Sequence, residues 1–178
     1  MGRGYANGQF RNPNGITVDS LGNVYVLDLY REDVQKFDSS GNYLLKWGSK
    51  GSGNGQFETP DGICVDSNDN LYTVDDYNMN VQKFDSSGNY LTQWGSSGSG
   101  HGQFCSLSCG IQVTINGIVV IADAACNRIQ EYSTTGTYID EFGRLGLGAL
   151  DNADFLAIAP SGNIYIIDGI KVIKVFGP

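Results

Sequence analysis

The sequence predicts an all-β fold made of repeated four-stranded units, and two observations carry this prediction. The tripeptide Gly-Gln-Phe begins at Gly8, Gly55 and Gly102, so the chain repeats itself every 47 residues. Repeat periods of about 20–50 residues are typical of solenoids and propellers. Between these tripeptides lie short runs rich in Val, Ile, Tyr and Phe, separated by Gly, Asn, Asp and Ser, which is the pattern of short strands. No segment carries a helical period over about eleven residues.

Each element of the unit is visible in the first repeat. Four strands are predicted in succession, over residues 15–20, 24–28, 34–37 and 43–48. A turn at 21–23 separates the first two strands, a loop at 29–33 follows the second, and the turn 38–42 precedes the fourth. Gly, Asn, Asp and Ser in these connections supply the local hydrogen bonds and left-handed conformations that tight turns need.

The later units copy the first with growing divergence. The second is nearly verbatim, the third has one extra residue between Phe104 and Gly110, and the fourth keeps three strands before the chain stops at Pro178. We therefore predict one domain over residues 1–178, with blades at approximately 8–54, 55–101, 102–148 and 149–178. The fourth blade is expected to be incomplete.

Four antiparallel strands in a radially repeated unit describe a β-propeller blade. The recurring patterns Phe-x-x-Pro-x-Gly-Ile-x-Val-Asp, Gly-Asn-Val-Tyr-Val-x-Asp and Val-Gln-Lys-Phe-Asp resemble the NHL repeat. This resemblance covers nearly the whole chain and is strongest in the first two units. It implies a propeller-like arc of about four NHL-type four-stranded blades, whereas the family's usual ring has six.

An arc with fewer blades than a ring leaves sheet edges and blade faces uncovered, and exposed edges invite pairing with another chain. Three interpretations stay open on the sequence alone. The chain belongs to a longer protein, it forms a small irregular arc, or it completes its edges in trans with copies of itself or with a partner. Terminal repeats that lack a polar cap usually need such cover.

Charge and hydropathy restrict the partners. The net charge is −8 and the eleven basic residues are scattered, so nucleic acid is an unlikely partner for a chain with no basic footprint. No apolar stretch approaches the roughly 20 residues that span a bilayer, so no membrane segment is predicted. The first residues have no apolar core and do not read as a signal peptide. The compartment therefore stays unknown.

Four aspartates recur at the end of the second strand of each unit, at Asp28, Asp75, Asp123 and Asp168. A ring of carboxylates would suit a hard cation such as Ca²⁺. The alternative is that each aspartate accepts hydrogen bonds from its own following loop. Strict recurrence favours the second interpretation, because metal ligands have no need to occur in every blade. We predict no metal site and no cofactor.

The cysteines are concentrated in the third unit. The loop that enters the first strand of a blade and the loop between its second and third strands emerge on the same face, which places Cys105, Cys109 and Cys126 near one another. Three alternatives stay open: free thiols, one disulfide between Cys126 and one of the other two, or a thiolate metal site. A zinc site is short of ligands, because His101 is the only histidine.

The same histidine limits catalytic interpretations. His101 replaces Asn54 of the preceding repeat in a Gly/Ser-rich loop, so we expect it to be exposed. Lyases that resemble NHL proteins use several histidines around a metal, and one histidine does not supply that set. A metal-dependent hydrolase or lyase with its site on the propeller rim is the alternative function.

The aromatic residues divide into repeated and unrepeated ones. Trp47, Trp94 and Phe142 are equivalent, as are Phe37, Phe84, Tyr132 and Phe176, and equivalent large residues are expected to wedge between neighbouring blades. The aromatic residues of the loops after the second strands are better candidates for contact with a partner. The predicted partner-binding residues are Tyr30, Arg31, Tyr77, Asn78 and Arg128. The predicted function is a non-catalytic protein-binding or self-assembly scaffold.

Overall fold

The computed structural model describes residues 3–143, 150–168 and 171–175. These residues form strands and one 3₁₀ turn, Ala124–Cys126. The strands are β1 (Pro13–Val18), β2 (Val24–Asp28), β3 (Asp33–Phe37), β4 (Tyr43–Trp47), β5 (Pro60–Val65), β6 (Leu71–Asp75), β7 (Asn80–Phe84), β8 (Tyr90–Trp94), β9 (Leu107–Val113), β10 (Ile118–Asp123), β11 (Arg128–Ser133), β12 (Tyr138–Phe142), β13 (Ala153–Ile158), β14 (Ile164–Asp168) and β15 (Lys171–Val175).

The strands form four antiparallel sheets in chain order. The sheets are β1–β4, β5–β8, β9–β12 and, among the described residues, a three-stranded sheet β13–β15. Strands β1, β5, β9 and β13 lie side by side in succession, so the first strand of every sheet faces the axis of the arc. The sheets do not close into a ring, and the predicted all-β, propeller-like arc is confirmed.

The predicted first strand extends too far at its carboxyl end. β1 ends at Val18, because Asp19 already folds the turn by accepting hydrogen bonds from the backbone N–H groups of Leu21 and Asn23 at 3.0 and 2.8 Å. The same Asp-x-x-x-Asn turn recurs at Asp38 and Asp66. An aspartate that satisfies its own turn ends the strand without help from the rest of the molecule.

The described residues form three hydrophobic cores, one at each junction between neighbouring sheets. Trp47 of the first sheet packs on Phe84 of the second with ring centroids 5.7 Å apart, and Trp94 packs on Tyr132 of the third at 5.8 Å. Phe142 packs against the core between the third and fourth sheets. These contacts confirm the wedge role of Trp47, Trp94, Phe84, Tyr132 and Phe142. The prediction is wrong for Phe37, which faces an open pocket on the uncovered side of the first sheet, and Phe176 lies outside the described residues.

Candidate functional site

The recurring aspartates hold together the loops on one face of the arc. This loop face comprises the loops that lead into β1, β5 and β9, the described residues 150–152 before β13, and the loops between the second and third strands of the first three sheets. The buried carboxylate of Asp28 accepts four backbone N–H groups, from Arg11 at 2.6 Å, Asn12 at 3.0 Å, Tyr30 at 3.0 Å and Arg31 at 3.1 Å. Asp28 therefore ties the incoming loop to the loop that follows its own strand.

The other three aspartates bind the incoming loops of their own sheets. Asp75 accepts the N–H groups of Glu58 and Thr59 at 2.7 and 3.1 Å, and Asp123 accepts those of Cys105 and Ser106 at 2.9 and 3.2 Å. Asp168 accepts the N–H of Asp151 at 2.5 Å. The recurring aspartates therefore accept hydrogen bonds from loops, as their strict recurrence predicted. These bonds engage the carboxylate oxygens that a cation would need.

The Gly-Gln-Phe tripeptide is fixed by a buried glutamine from the third strand of the same sheet. In the first sheet, Gly8 donates its N–H to Gln35 at 2.8 Å, and Gln35 donates its amide to the carbonyl of Gln9 at 2.8 Å. Gln82 and Gln130 make the same pair of bonds in the second and third sheets. The tripeptide and the glutamine of Val-Gln-Lys-Phe therefore form one repeated clamp.

Two of the predicted partner-binding residues are buried inside this loop structure. Arg128 is 0% exposed and forms charge-assisted bonds to Asp123 at 2.8 Å and Glu141 at 2.6 Å. Arg31 is 7% exposed and binds Asp33 at 2.9 Å. Both guanidinium groups make their ion pairs inside the loop face, so neither side chain is exposed for contact with a partner.

These two arginines occupy different positions of the repeat, yet both donate hydrogen bonds to the glycine-rich loop that precedes a Gly-Gln-Phe tripeptide. Arg31 donates to the carbonyls of Gly4 and Ala6, and Arg128 donates to those of Ser99 and Gly100, which lie in the corresponding glycine-rich loop. Asn78, also a predicted partner contact, is half-buried and donates to the carbonyl of Gly51 at 3.1 Å. All three side chains anchor the loop that precedes a Gly-Gln-Phe tripeptide.

The remaining two predicted contacts lie at the surface. Tyr30 is 57% exposed and Tyr77 is 73% exposed, both in the loops after the second strands of neighbouring sheets. The N–H of Tyr30 is held by Asp28, so the ring projects from a fixed backbone. Tyr5, which the sequence reasoning did not select, is also exposed and lies 4.8 Å below the guanidinium of Arg11.

The structure joins two of the three candidate cysteines on the same face. Cys105, in the loop that enters β9, and Cys126, in the loop after β10, form a disulfide. Cys109 lies within β9 as a half-buried free thiol, and Cys64 is a buried free thiol in β5. A carboxylate oxygen of Asp123 lies within 4.8 Å of both bonded sulfurs, but this carboxylate is engaged by Arg128 and by two backbone N–H groups.

Removing this disulfide is expected to destabilise the protein by about 3 kcal/mol. The cross-link closes a loop of 21 residues, and chain-entropy estimates for a loop of that size give roughly 3 kcal/mol. The double variant Cys105→Ser/Cys126→Ser tests this by urea unfolding under non-reducing conditions. Cys109→Ser is the matched control and should change the unfolding free energy by less than about 1 kcal/mol, because it breaks no cross-link.

A second set of residues surrounds the axis on the loop face, and the sequence reasoning missed it. Asn14, Asp61, Cys109 and Asp154 occupy equivalent positions near the start of the first strand of each sheet. Asn14 donates to the Asp61 carboxylate at 2.6 Å. Asn14 and Asp61 directly precede the glycine of the Pro-x-Gly-Ile pattern and Cys109 precedes Gly110, whereas Asp154 is followed by Phe155. This partly shared place was the only sequence signal, and it is obscured because the residue type changes from sheet to sheet.

This axial row is acidic and partly shielded from water. Burial, and to a smaller extent the neighbouring carboxylate of Asp76, raise the pKa of Asp61 to about 6. Burial also raises the pKa of the Cys109 thiol, with smaller contributions from Asp61 and Asp154. Cys109 is therefore a protonated thiol at neutral pH, and a thiol is a much weaker nucleophile than a thiolate.

Asp61→Asn is expected to stabilise the protein at neutral pH and to have no effect in acid. The carboxyl has a higher pKa in the native state than its ordinary value of 3.8, so the native state binds the proton more tightly. The contribution of protonated Asp61 to the free energy of unfolding is then fully present below about pH 4 and is lost as the pH rises through about 6. Because water still reaches the group, we expect a gain of only about 1–2 kcal/mol above pH 7.

Urea unfolding at about pH 7.5 and pH 3.5 measures this difference. Asparagine keeps the oxygen that accepts from Asn14 but carries no charge, so the variant isolates the ionisation of Asp61. A variant that is equally stabilised at both pH values, or destabilised at neutral pH, would show that ionisation of Asp61 does not destabilise the folded protein.

His101 lies away from the axial row. Its side chain is 71% exposed, as expected for the Gly/Ser-rich loop, and its Nδ1 lies 2.9 Å from the hydroxyl of Tyr138 on the outermost strand β12. The axial row lies on the innermost strands. The histidine and the acidic cluster are therefore at opposite edges of the sheets and do not form one site.

Comparison with known proteins places the chain among the propellers. A family model described as a 6-bladed beta-propeller matches residues 66–157, and a model of the NHL repeat matches residues 10–37. No curated protein matches the sequence.

Solved structures with similar folds have little sequence identity to this chain. Hydrazine synthase of Kuenenia stuttgartiensis has a TM-score of 0.66 at 12% identity over 97% of this chain and 51% of its own. Virginiamycin B lyase of Staphylococcus aureus has 0.69 at 12% over 92% and 55%, and a nidogen/laminin complex has 0.68 at 16% over 88% and 56%.

These structural neighbours support the architecture and carry no functional assignment, since such low identity indicates the fold alone. The chain spans about half the length of each of them. One family model covers the middle half of the sequence, and the repeat model covers most of the first blade. The chain therefore belongs to the family of β-propellers built from NHL repeats.

Proposed function

We propose that this chain is a non-catalytic scaffold that binds a partner protein through its loop face. The observation that carries the proposal is the exposure of Tyr30 and Tyr77 on loops whose backbones are held from below. Aromatic side chains are enriched at protein interfaces, because they bury a large area with few rotatable bonds. A fixed backbone lowers the ordering cost of binding still further.

The anchoring of the loops is what makes this face suitable for recognition. Buried aspartates, the glutamine clamp and the two buried arginines hold the loops of the first three sheets, and the disulfide adds a covalent link in the third. Propellers of the NHL type commonly mediate protein interactions, which agrees with such a role. The net charge of −8 favours a protein partner over nucleic acid.

The test compares partner retention by variants of the full chain immobilised on a support. The double variant Tyr30→Ala/Tyr77→Ala removes both exposed rings without touching a buried contact, and should reduce retention of the specific partner at least about tenfold. Ile115→Ala is the matched control, because Ile115 is 81% exposed on the opposite face of the arc. Equal retention by wild type and the tyrosine variant would end the loop-face proposal.

Self-assembly through the uncovered ends of the arc is the second part of the scaffold proposal. The fourth sheet exposes Phe155 and Ile167, and the first sheet exposes Ile16 and Val18. Apolar faces of this kind at two different ends give head-to-tail association when they meet. Sedimentation over a range of concentrations tests this part separately, because a monomer throughout removes self-assembly and leaves the loop-face proposal intact.

A hydrolase or lyase with its site on the rim is the alternative function, and the axial row is the observation that favours it. Asp61, with its pKa near 6, has the ionisation of a general acid or base at neutral pH. The carboxylates of Asp76 and Asp154 act electrostatically on Asp61, and negative charge gathered in this way favours a hard cation. Metal analysis of the purified chain, together with calorimetric titration of Ca²⁺ into wild type and Asp61→Asn, decides between the two functions.

No helix among the described residues has the length and apolar character required to cross a membrane.

A further inference from the structure

The first sheet exposes an apolar face that is covered in the later sheets. Ile16 is 68% exposed, whereas Ile63, its counterpart in the second sheet, is 5% exposed. Beside Ile16, an open pocket of about 440 Å³ is lined by Phe10, Val24, Val26 and Phe37 and by the turn from Asp38 to Gly41. We call this the Phe37–Gly41 pocket.

Internal repeats show what the same pocket holds elsewhere in the chain. Phe84 is the counterpart of Phe37, and it contacts the indole of Trp47 with ring centroids 5.7 Å apart. Gly88 is the counterpart of Gly41, and a Cβ added there would lie 2.6 Å from Cε3 of Trp47. The turn glycine of the second sheet is therefore covered directly by an indole ring.

The third sheet repeats this arrangement with different residues. Trp94 packs on Tyr132 at 5.8 Å, and a Cβ added to Gly136 would also lie 2.6 Å from Cε3 of the indole. A Cβ added to Gly41 of the first sheet, by contrast, would meet no atom within 4 Å. The Phe37–Gly41 pocket is therefore built from the same positions of the repeat as two pockets that each hold a tryptophan.

Both tryptophans occur in the same local sequence, Trp-Gly, and this sequence indicates what kind of segment the pocket would bind. Trp47 and Trp94 end the outermost strands β4 and β8, and each is followed by a glycine with φ near +100°. A Cβ on Gly48 would lie 2.7 Å from the carbonyl oxygen of Glu32 and 2.8 Å from the ring of Phe57. Only glycine fits directly after the tryptophan, because a side chain there would collide with the neighbouring backbone and ring.

We propose that the Phe37–Gly41 pocket is a docking site for a Trp-Gly pair, presented by the outermost strand of another propeller blade in a partner polypeptide. The proposal rests on the scaffold function and names the class of partner that the first sheet recognises. The partner's aromatic ring would lie over Gly41 and contact the small part of Phe37 that is exposed, 4% of the residue, as Trp47 contacts Phe84 and lies over Gly88.

A second copy of this chain fits the pocket less well. The fourth sheet presents Phe155, Tyr165 and Ile167, which is an apolar face, but its described residues include no tryptophan. Both tryptophans of the chain are already packed between its own sheets. Packing of a second copy on the first sheet is therefore an outcome that the test must separate from aromatic docking.

The test is a titration of the isotope-labelled full chain with N-acetyl-L-tryptophanamide, followed by amide NMR shifts. N-acetyl-L-leucinamide is the matched probe. We expect saturable shifts at Val26, Phe37 and Gly41, with half-saturation at roughly millimolar concentration for a ligand of this size. The leucine probe should bind at least about fivefold more weakly. Equal binding of both probes, or tryptophan-induced shifts spread over the whole surface, overturns the proposal.

Two variants of the pocket sharpen the result. Val26→Glu puts a charge in the apolar pocket and should weaken binding of the tryptophan probe at least about tenfold. Val26→Thr copies the residue found at the corresponding position, Thr73, and should bind within about twofold of wild type. Because the wild-type titration locates the shifts by itself, the proposal stays testable if Val26→Glu fails to fold.

Sedimentation of the same proteins separates this proposal from the scaffold function. Oligomers that form in wild type and dissolve in Val26→Glu, without any binding of the tryptophan probe, would identify a second copy as the occupant and overturn aromatic docking. Probe binding with unchanged partner retention in Tyr30→Ala/Tyr77→Ala would uphold the pocket and remove only the loop-face part of the scaffold proposal.

Discussion

Replacing Asp28 with alanine is expected to lower the free energy of unfolding by about 3–5 kcal/mol. The buried carboxylate accepts four backbone N–H groups, and the substitution leaves all four without their acceptor. Each buried donor that loses its partner costs about 1–3 kcal/mol. Water that enters the space of the lost side chain would recover part of this cost, which keeps the expected loss below the full sum.

Urea unfolding of Asp28→Ala and Asp38→Ala measures the effect against a matched control. Asp38 also accepts two backbone N–H groups, from Ser40 and Asn42, but it does so in an exposed turn where water replaces the lost acceptor. Its removal should therefore lower the free energy of unfolding much less than the removal of Asp28 does. Equal losses in the two variants would show that Asp28 acts as an ordinary turn residue and does not organise the loop face.

The fold was accessible from the sequence because its determinants are local and repeated. The 47-residue period fixes the unit, and each turn carries its own aspartate and asparagine, as at Asp38 and Asn42. The wedge role of Trp47 and Trp94 was also predictable, since large aromatic residues at equivalent positions have equivalent neighbours. Errors lay at strand ends: β1 occupies residues 13–18 where 15–20 were predicted, and Asp19 already belongs to the turn.

The site was less accessible because its contacts join different repeats through residues that do not recur. Arg31 and Arg128 occupy different positions of the repeat, so nothing in the alignment of the units indicated that both guanidinium groups anchor a glycine-rich loop. A charged residue in a loop is usually exposed. These two are buried because the loop carbonyls and a neighbouring carboxylate supply their partners.

The axial row escaped detection for a related reason. Asn14, Asp61 and Cys109 are chemically unlike one another, and only the arrangement of the first strands around one axis makes them neighbours. The raised pKa of Asp61 arises from burial and from Asp76, which belongs to the loop after β6. Such a shift depends on distances between loops, and a single sequence contains no measure of those distances.

Arg128→Met is expected to destabilise the protein by about 3–5 kcal/mol, more than any surface charge variant. Removing one partner of a buried ion pair leaves the other charge without compensation, and Asp123 is fully buried. The substitution also removes donors to the carbonyls of Ser99, Gly100 and Gln103. Methionine fills much of the volume, so the loss reports on charge and hydrogen bonding more than on packing.

Two controls separate the buried pair from ion pairs in general. Arg31→Met should cost less, about 1–3 kcal/mol, because Asp33 keeps a second cation in Lys46 at 3.2 Å. Lys50→Met breaks an exposed pair with Glu58 and should cost the least of the three, because water screens exposed ion pairs. The expected order of loss by urea unfolding is therefore Arg128, Arg31 and then Lys50. If Arg128→Met were no more damaging than Lys50→Met, the disulfide and the glutamine clamp would have to hold the loops of the third sheet without it.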